Sequence, residues 1–136
     1  MDEKDVRWKQ RFQNYTKALN FLEMALRIPN PDIVQKAGII QFFEMSFELA
    51  WNLIKDYLED QGFVNIKSPR GAIKKAFEVN ILEKGHAWMD LLEDRILTSH
   101  TYDEQKATDM EYLIQNKYFP LLKAPHNTFS QKADEK

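Results

Sequence analysis

Large apolar residues recur along most of this chain at steps of three and four, the spacing that lines one face of an α-helix. The first such face comprises Trp8, Phe12, Tyr15, Leu19, Leu22 and Leu26. The second lies within a segment from about 32 to 61 and comprises Ile40, Phe43, Phe47, Trp51, Ile54 and Leu58. No strand-like alternation interrupts the pattern, so the sequence predicts an all-α fold.

Capping residues and glycines divide this pattern into separate helices. Asp32 is placed to cap the second helix, which Gly62 would end. A shorter third helix is predicted from Ser68, as its N-cap, to about Asn80, and a fourth begins after Gly85. We expect an antiparallel bundle of four main helices plus this short helix.

The last helix is predicted from a capping-box pattern, in which Thr101 is followed three residues later by Glu104. The helix should begin about one residue after the threonine, and Pro120 should kink or end it. A chain of 136 residues is most simply one domain. We place that domain at residues 1–123 and expect a disordered tail at 124–136.

The overall composition excludes several classes of protein. A formal net charge of -2 gives no general attraction to nucleic acid, so any RNA contact must be local. The chain has no cysteine, which excludes disulfides, thiolate zinc sites and cysteine nucleophiles and fits a cytoplasmic location. No apolar stretch is long enough to cross a bilayer, and the charged start "MDEKDVRWKQ" is unlike a signal peptide. We therefore expect no membrane association.

Three chemically active side chains lie within the eight residues "RILTSHTY". Arg95 is a permanent cation whose planar donors suit phosphate, His100 carries an imidazole that can accept and donate a proton, and Tyr102 is a phenol. On one continuous helix Arg95 and His100 would lie about 140° apart. We expect a break at about residues 98–101, which would put Arg95 on the last turn of one helix and His100 just before the next.

This arrangement would be sufficient for metal-independent RNA cleavage. His100 would activate the ribose 2′-hydroxyl, and Arg95 would stabilise the charge that builds on phosphorus. A purely structural role remains an alternative. Arg95 would then pair with Glu93 or Asp94, His100 would belong to the helix cap, and Tyr102 would be a half-buried phenol.

Paired carboxylates raise the question of a metal site. Glu44 and Glu48 stand four residues apart on the second helix, and Glu83 and His86 have Glu-x-x-His spacing. Bundle metal sites need more such ligands, so we expect neither a metal nor another cofactor. Glu44 and Glu48 would instead form a solvated face or bind a cation across the bundle, with Arg95 as a candidate.

The densest basic group comprises Lys67, Arg70, Lys74 and Lys75. A solvated surface is one interpretation, and contact with RNA phosphates or with an acidic partner is the other. His126 lies in the predicted tail, and we expect no specific role for it.

Three blocks resemble a known family when they are taken in order: "FFEMSFELAWNLIKDYLEDQG", "SPRGAIKKAFEVNIL" and "WMDLLEDRILTSHTYDE". They resemble the nucleotidyltransferase substrate-binding family of the HEPN superfamily, the HepT-like helical bundles, over about residues 8–123. The resemblance implies a HEPN-like homodimer in which the Arg-x4-His-x-Tyr motifs of two subunits face one cleft. On this chain the motif positions are Arg95, His100 and Tyr102.

The resemblance also implies a partner, a separate minimal nucleotidyltransferase chain (MNT). In toxin-like members the motif arginine and histidine serve RNA cleavage, and the partner silences the toxin by attaching AMP to the motif tyrosine. Carried over, Arg95 and His100 would be catalytic and Tyr102 would be modified. This chain lacks the Gly-Ser and paired aspartates of a nucleotidyltransferase, so we do not expect it to be the nucleotide-transferring subunit.

One position departs from the family pattern. Many members have a polar residue, often asparagine, directly after the motif arginine, whereas this chain has Ile96. Three hypotheses follow: a ribonuclease regulated through Tyr102, a non-catalytic subunit that presents substrate to the nucleotidyltransferase, and a plain helical scaffold.

Overall fold

The computed structural model describes residues 3–134, which form helices joined by short turns. The α-helices are α1 (Glu3–Leu26), α2 (Ile33–Asp60), α3 (Pro69–Glu78), α4 (Gly85–Asp94), α5 (Glu104–Leu113) and α6 (Phe119–Asp134). A 3₁₀ segment, Arg95–Ser99, follows α4, and a π-helical turn, Ile114–Tyr118, joins α5 to α6. Residues 3–134 contain no strand, which confirms the all-α prediction. Within this described part, no helix is long and apolar enough to cross a membrane.

The two longest helices, α1 and α2, pack as a hairpin, and α2 also contacts α3, α5, α6 and the 3₁₀ segment. Asp32 caps α2 as predicted, because its side chain accepts from the Gln35 backbone while the Gln35 side chain accepts from the Asp32 backbone. The predicted apolar faces of α1 and α2 supply the core, in which Tyr15 and Phe43 are fully buried. The helical bundle prediction is therefore confirmed.

Ser68 caps α3 as predicted, with its side chain accepting from the backbone of Gly71. The predicted capping box of the last helix is wrong. Asp103, rather than Thr101, caps α5. Its side chain accepts from the backbone N–H groups of Gln105 and Lys106. A carboxylate is at least as good an N-cap as a threonine and also carries a charge that suits the positive helix end. α5 consequently begins at Glu104.

Pro120 does not end the last helix. The π-helical turn ends at Tyr118, two residues before this proline, and α5, the turn and α6 follow one another without a break from Glu104 to Asp134. Proline has no N–H to donate and its ring crowds the preceding turn, and a wider π turn is one way for a helix to accommodate such a residue. A second proline, Pro125, lies within α6.

The predicted disordered tail is wrong for residues 124–134, which belong to α6. Phe129 is fully buried, with its ring centroid 5.8 Å from that of Trp8 and 5.2 Å from that of Tyr57. A buried aromatic side chain holds the second half of α6 against the hairpin of α1 and α2. Residues 135–136 lie outside the described part of the chain.

His126 has specific contacts, contrary to expectation. Its ring stacks on Phe12 at 5.1 Å, and its Nε2 lies 3.0 Å from Thr16 Oγ1. The Thr16 hydroxyl already donates to the Phe12 carbonyl, so its oxygen accepts from the Nε2–H of His126. Burial, and to a smaller extent the nearby Lys123, lowers the pKa of His126.

This lowered pKa predicts a loss of stability in acid. A histidine in the unfolded chain has a pKa of about 6.5, whereas the pKa of His126 in the folded chain is lower. Above a pH of about 6.5 His126 is neutral in both states, and its contribution to the free energy of unfolding is fully present. As the pH falls from there through the lower pKa of the folded chain, the unfolded state takes up the proton more readily, and that contribution is lost. We expect urea unfolding midpoints to fall between pH 7.5 and pH 5 by more in the wild type than in His126→Leu. Equal changes in the two proteins would contradict this assignment.

Candidate functional site

The motif residues lie in the connection between α4 and α5. The 3₁₀ segment is fixed by local hydrogen bonds, from Thr98 Oγ1 to the Arg95 carbonyl at 2.7 Å and from Ser99 Oγ to the Ile96 carbonyl at 2.9 Å. A turn follows, in which the Asp103 backbone N–H donates to the His100 carbonyl at 3.0 Å. A break between the helices was predicted, but it is longer than expected, because Arg95 begins the 3₁₀ segment instead of ending α4.

Arg95 is held by α2. Its Nε and Nη2 donate to the two carboxylate oxygens of Glu44 at 3.1 and 3.3 Å, and Nη2 also donates to Glu48 at 3.0 Å. The guanidinium lies 4.3 Å from the centre of the Phe47 ring. We call these four residues the arginine clamp. The prediction that Glu44 and Glu48 bind a cation across the bundle is confirmed, with Arg95 as that cation.

The arginine clamp is formally negative, because two carboxylates surround one guanidinium. The fork geometry of Glu44 is the strong bidentate form, and the contact with Phe47 adds a cation–π interaction. Arg95 is 24% exposed, so water screens these contacts only in part. An incoming phosphate therefore has to compete with Glu44 and Glu48 for the guanidinium.

The structural alternative offered Asp94 as a partner for Arg95, but Asp94 has a different partner. It accepts a hydrogen bond from the hydroxyl of the buried Tyr118, in the π-helical turn. Burial, and then this bond to Asp94, raises the pKa of Tyr118. Next to it, Lys117 Nζ binds Asp90 at 2.9 Å. These two contacts fix the end of α4 and so the start of the segment that carries Arg95.

His100 and Tyr102 form a hydrogen-bonded pair on the surface of the turn. His100 Nδ1 lies 2.9 Å from the Tyr102 hydroxyl, and the two rings meet edge to face at 5.6 Å. Tyr102 is 79% exposed, so the prediction of a half-buried phenol is wrong. Because a phenol can donate or accept, the pair is compatible with either imidazole tautomer and leaves Nε2 as the second proton-transfer atom.

Arg95 and His100 share one short connection, although no hydrogen bond joins them within residues 3–134. The contacts that sequence reasoning did not find are Phe47 beneath the guanidinium and Tyr118 behind Asp94. The sequence does contain a signal for the contact with Phe47. Their spacing of three and four puts Glu44, Phe47 and Glu48 on one face of the helix. Tyr118 has no comparable signal, because its bond joins positions 24 residues apart.

The described residues offer no cluster of three or more histidine, aspartate or glutamate side chains that could hold a metal ion. Glu44 and Glu48 already bind Arg95. The connection between α4 and α5 carries an imidazole, which can transfer a proton, and a guanidinium, which can bind an anion.

Comparisons with known proteins agree with this architecture. The sequence model of the family described as nucleotidyltransferase substrate binding protein like matches residues 10–131. A relative from Haemophilus influenzae, described as "Probable ribonuclease HepT", is 27% identical over 100 residues, which are 65% of this chain and 68% of the relative. A crystal structure of a protein from Thermus thermophilus matches with a TM-score of 0.72 and 27% identity, over 89% of this chain and 99% of that one. The family match extends over most of the chain and includes the connection that carries Arg95, His100 and Tyr102, so the chain belongs to the nucleotidyltransferase substrate binding protein-like family.

Proposed function

We propose that this protein is the HEPN-type, toxin-like partner of a minimal nucleotidyltransferase and that it cleaves RNA without a metal ion through Arg95 and His100. The observation that carries the proposal is the His100–Tyr102 pair, because it puts a proton-transfer group and a modifiable hydroxyl on one exposed turn. The description of the H. influenzae relative as a probable ribonuclease supports the same reaction.

In this reaction His100 takes the proton of a ribose 2′-hydroxyl, and the freed oxygen attacks the adjacent phosphorus. The bond from phosphorus to the 5′-oxygen breaks, and that oxygen leaves with a proton from an imidazolium. General acid–base catalysis of this kind contributes about 10²- to 10⁴-fold in rate. Arg95 stabilises the charge on the phosphoryl oxygens once the RNA has drawn its guanidinium from the arginine clamp.

Regulation would act on Tyr102. The partner enzyme would join the Tyr102 oxygen to the α-phosphorus of ATP, with pyrophosphate as the leaving group. The attached AMP would replace the phenol hydrogen, so that Tyr102 could no longer donate to His100, and would place a phosphate charge beside the imidazole. RNA would be repelled from the site by that charge and blocked by the adenosine.

Assembly is a further part of the proposal. Two copies of the chain would form a homodimer in which the two Arg95/His100 sites face one cleft, and a minimal nucleotidyltransferase chain would bind to it. One cleft with two motif copies would present two imidazoles to a single RNA phosphate.

The test is cleavage of a mixed RNA pool in EDTA by protein that intact mass shows to be unmodified. We expect the wild type to cleave and His100→Ala to be slower by about 10²- to 10⁴-fold. After preincubation with the partner, ATP and Mg²⁺, and before EDTA and RNA are added, the wild type should be silenced whereas Tyr102→Phe should stay active. Cleavage that survives in His100→Ala would disprove the role of His100.

A second candidate function is supported by the arginine clamp. The charge of Arg95 is already compensated by Glu44 and Glu48, and the residue after it, Ile96, is 67% exposed and has no hydrogen-bonding side chain. These features favour a non-catalytic subunit that presents substrate to the nucleotidyltransferase. In that case neither the wild type nor His100→Ala would cleave RNA.

A further inference from the structure

A second surface, remote in sequence from the motif, carries basic and aromatic side chains on one face of α3. Arg70, Lys74 and Phe77 follow one another at steps of four and three, which aligns them along the helix. All three are exposed, and the Phe77 side chain is 51% accessible. An exposed aromatic residue in line with two cations is the pattern of surfaces that bind single-stranded nucleic acid.

Between α3 and α4 this surface encloses a shallow cavity of about 170 Å³, which we call the α3–α4 cup. Its lining consists of Ile73, Lys74, Phe77, Gly85, His86 and Met89. The floor is apolar, and the rim carries Lys74, His86 and the nearby Arg70, whose Nη1 contacts Met89 Sδ at 3.4 Å. Pockets for whole drug-sized molecules measure about 300–1,000 Å³, so the cup suits one flat ring with the rest of its ligand outside.

The cations at the rim are available to an external anion. Within the described side chains, residues 6–134, no carboxylate lies at ion-pair distance from Arg70, Lys74 or Lys67. Lys75, the remaining member of the basic group, is occupied by Glu78 at 3.0 Å. Arg70 and Lys74 place two uncompensated charges beside a ring-sized cup, and Lys67 adds a third one residue before the N-cap of α3. These charges complement a phosphate chain that carries bases.

We propose that the α3–α4 cup is a binding site for single-stranded RNA, in which one base stacks on Phe77 and the flanking phosphates contact Arg70, Lys74 and Lys67. The site goes beyond the proposed cleavage chemistry, since binding here needs neither Arg95 nor His100. It gives the chain a local RNA contact despite a net charge of -2.

Gly85 determines how the ring is presented. A Cβ atom at this position would lie 3.1 Å from Cδ2 and 3.2 Å from Cε2 of Phe77. The backbone of α4 therefore supports one side of the ring, and the absence of a side chain at 85 lets the ring lie close to α4. A methyl group there would make the exposed ring shift by a few tenths of an ångström and would narrow the cup.

The experiment measures fluorescence anisotropy of a labelled single-stranded RNA of mixed sequence. All variants carry His100→Ala, so that the probe is not consumed and the result does not depend on whether the chain cleaves RNA. We expect Phe77→Leu to weaken binding about tenfold, from the loss of one stacked base. Lys74→Met should reduce the slope of log affinity against log salt by about one. Gly85→Ala should weaken binding in the same direction as Phe77→Leu.

The controls replace the same residue types elsewhere on the surface. Phe21→Leu removes another half-exposed phenylalanine, and Lys17→Met another exposed lysine, and both should bind RNA as the parent does. Unfolding curves of all variants verify that they are folded. Unchanged binding in Phe77→Leu and Lys74→Met, or equal losses in the two controls, would overturn the site. AMP or UMP competing as strongly as the RNA would overturn the assignment to a strand, and polyglutamate competing equally would overturn recognition of bases.

Discussion

Replacing Phe129 by alanine should lower the free energy of unfolding by about 3–5 kcal/mol, the usual cost of removing a fully buried phenylalanine. Its ring is completely inaccessible and packs edge to face on Tyr57 and at a tilt against Trp8. Alanine would leave a cavity where α6 meets α1 and α2. Urea denaturation followed by circular dichroism measures the change directly.

Phe77→Ala is the matched control. The Phe77 side chain is 51% exposed, so its removal should lower the free energy of unfolding far less. Deleting residues 124–136 should destabilise the protein at least as much as Phe129→Ala, since it removes Phe129 together with most of α6. If Phe129→Ala and the deletion both unfolded at the wild-type urea concentration, residues 124–134 would not be packed and the original prediction of a tail would be restored.

The helices of the hairpin were predictable because burial repeats with the helix period. Six apolar residues at steps of four and three on α1 can share one side only if the segment is helical, and four of them are buried with the other two packed against the core. Residues 124–134 lack that repetition. Phe129 alone, among polar neighbours, gives too weak a periodic signal to distinguish a packed helix from a tail.

Short-range details at the motif were only partly predictable. The sequence predicts a break at about residues 98–101, with Arg95 on the turn before it and Tyr102 at the start of the next helix. The structure has all of Arg95, His100 and Tyr102 within a longer connection between α4 and α5. Thr101 and Asp103 are both good caps, however, and choosing between them depends on how α5 packs against α2. Because Asp103 is the cap, α5 begins two residues later than predicted, and His100 and Tyr102 lie on an exposed turn before it.

Long-range pairing is the part that local pattern cannot decide. Arg95 and Glu44 are separated by 51 positions, and only the packing of the 3₁₀ segment on α2 brings them together. Sequence reasoning could name Glu44 and Glu48 as partners for a cation, since they share a face, but Glu93 and Asp94 were equally open as partners. The clamp carboxylates either position Arg95 for a phosphate or compete with the phosphate for it. Substitutions that remove their charge distinguish these two roles.

Replacing both clamp carboxylates by glutamine, as Glu44→Gln with Glu48→Gln, should raise kcat/KM for RNA cleavage about tenfold or more. A phosphate bound to Arg95 would lie roughly 6 Å from each carboxylate, where each repulsion amounts to about 1–3 kcal/mol at the partly exposed site. Glutamine keeps the size and a hydrogen-bond acceptor for the guanidinium but removes the charge. The measurement is initial cleavage rate at limiting RNA in EDTA, at low and high salt, and the gain should shrink as salt screens the charges.

Glu59→Gln provides the control, because Glu59 lies on the same helix about four turns from Glu44 and has no role in the arginine clamp. Its cleavage rate should equal that of the wild type. Arg95→Ala defines the opposite limit, in which the guanidinium is absent. If the double glutamine variant lost as much activity as Arg95→Ala, the two glutamates would be needed to position Arg95 for the phosphate. A gain instead would show that the two carboxylates compete with the substrate phosphate for the guanidinium of Arg95.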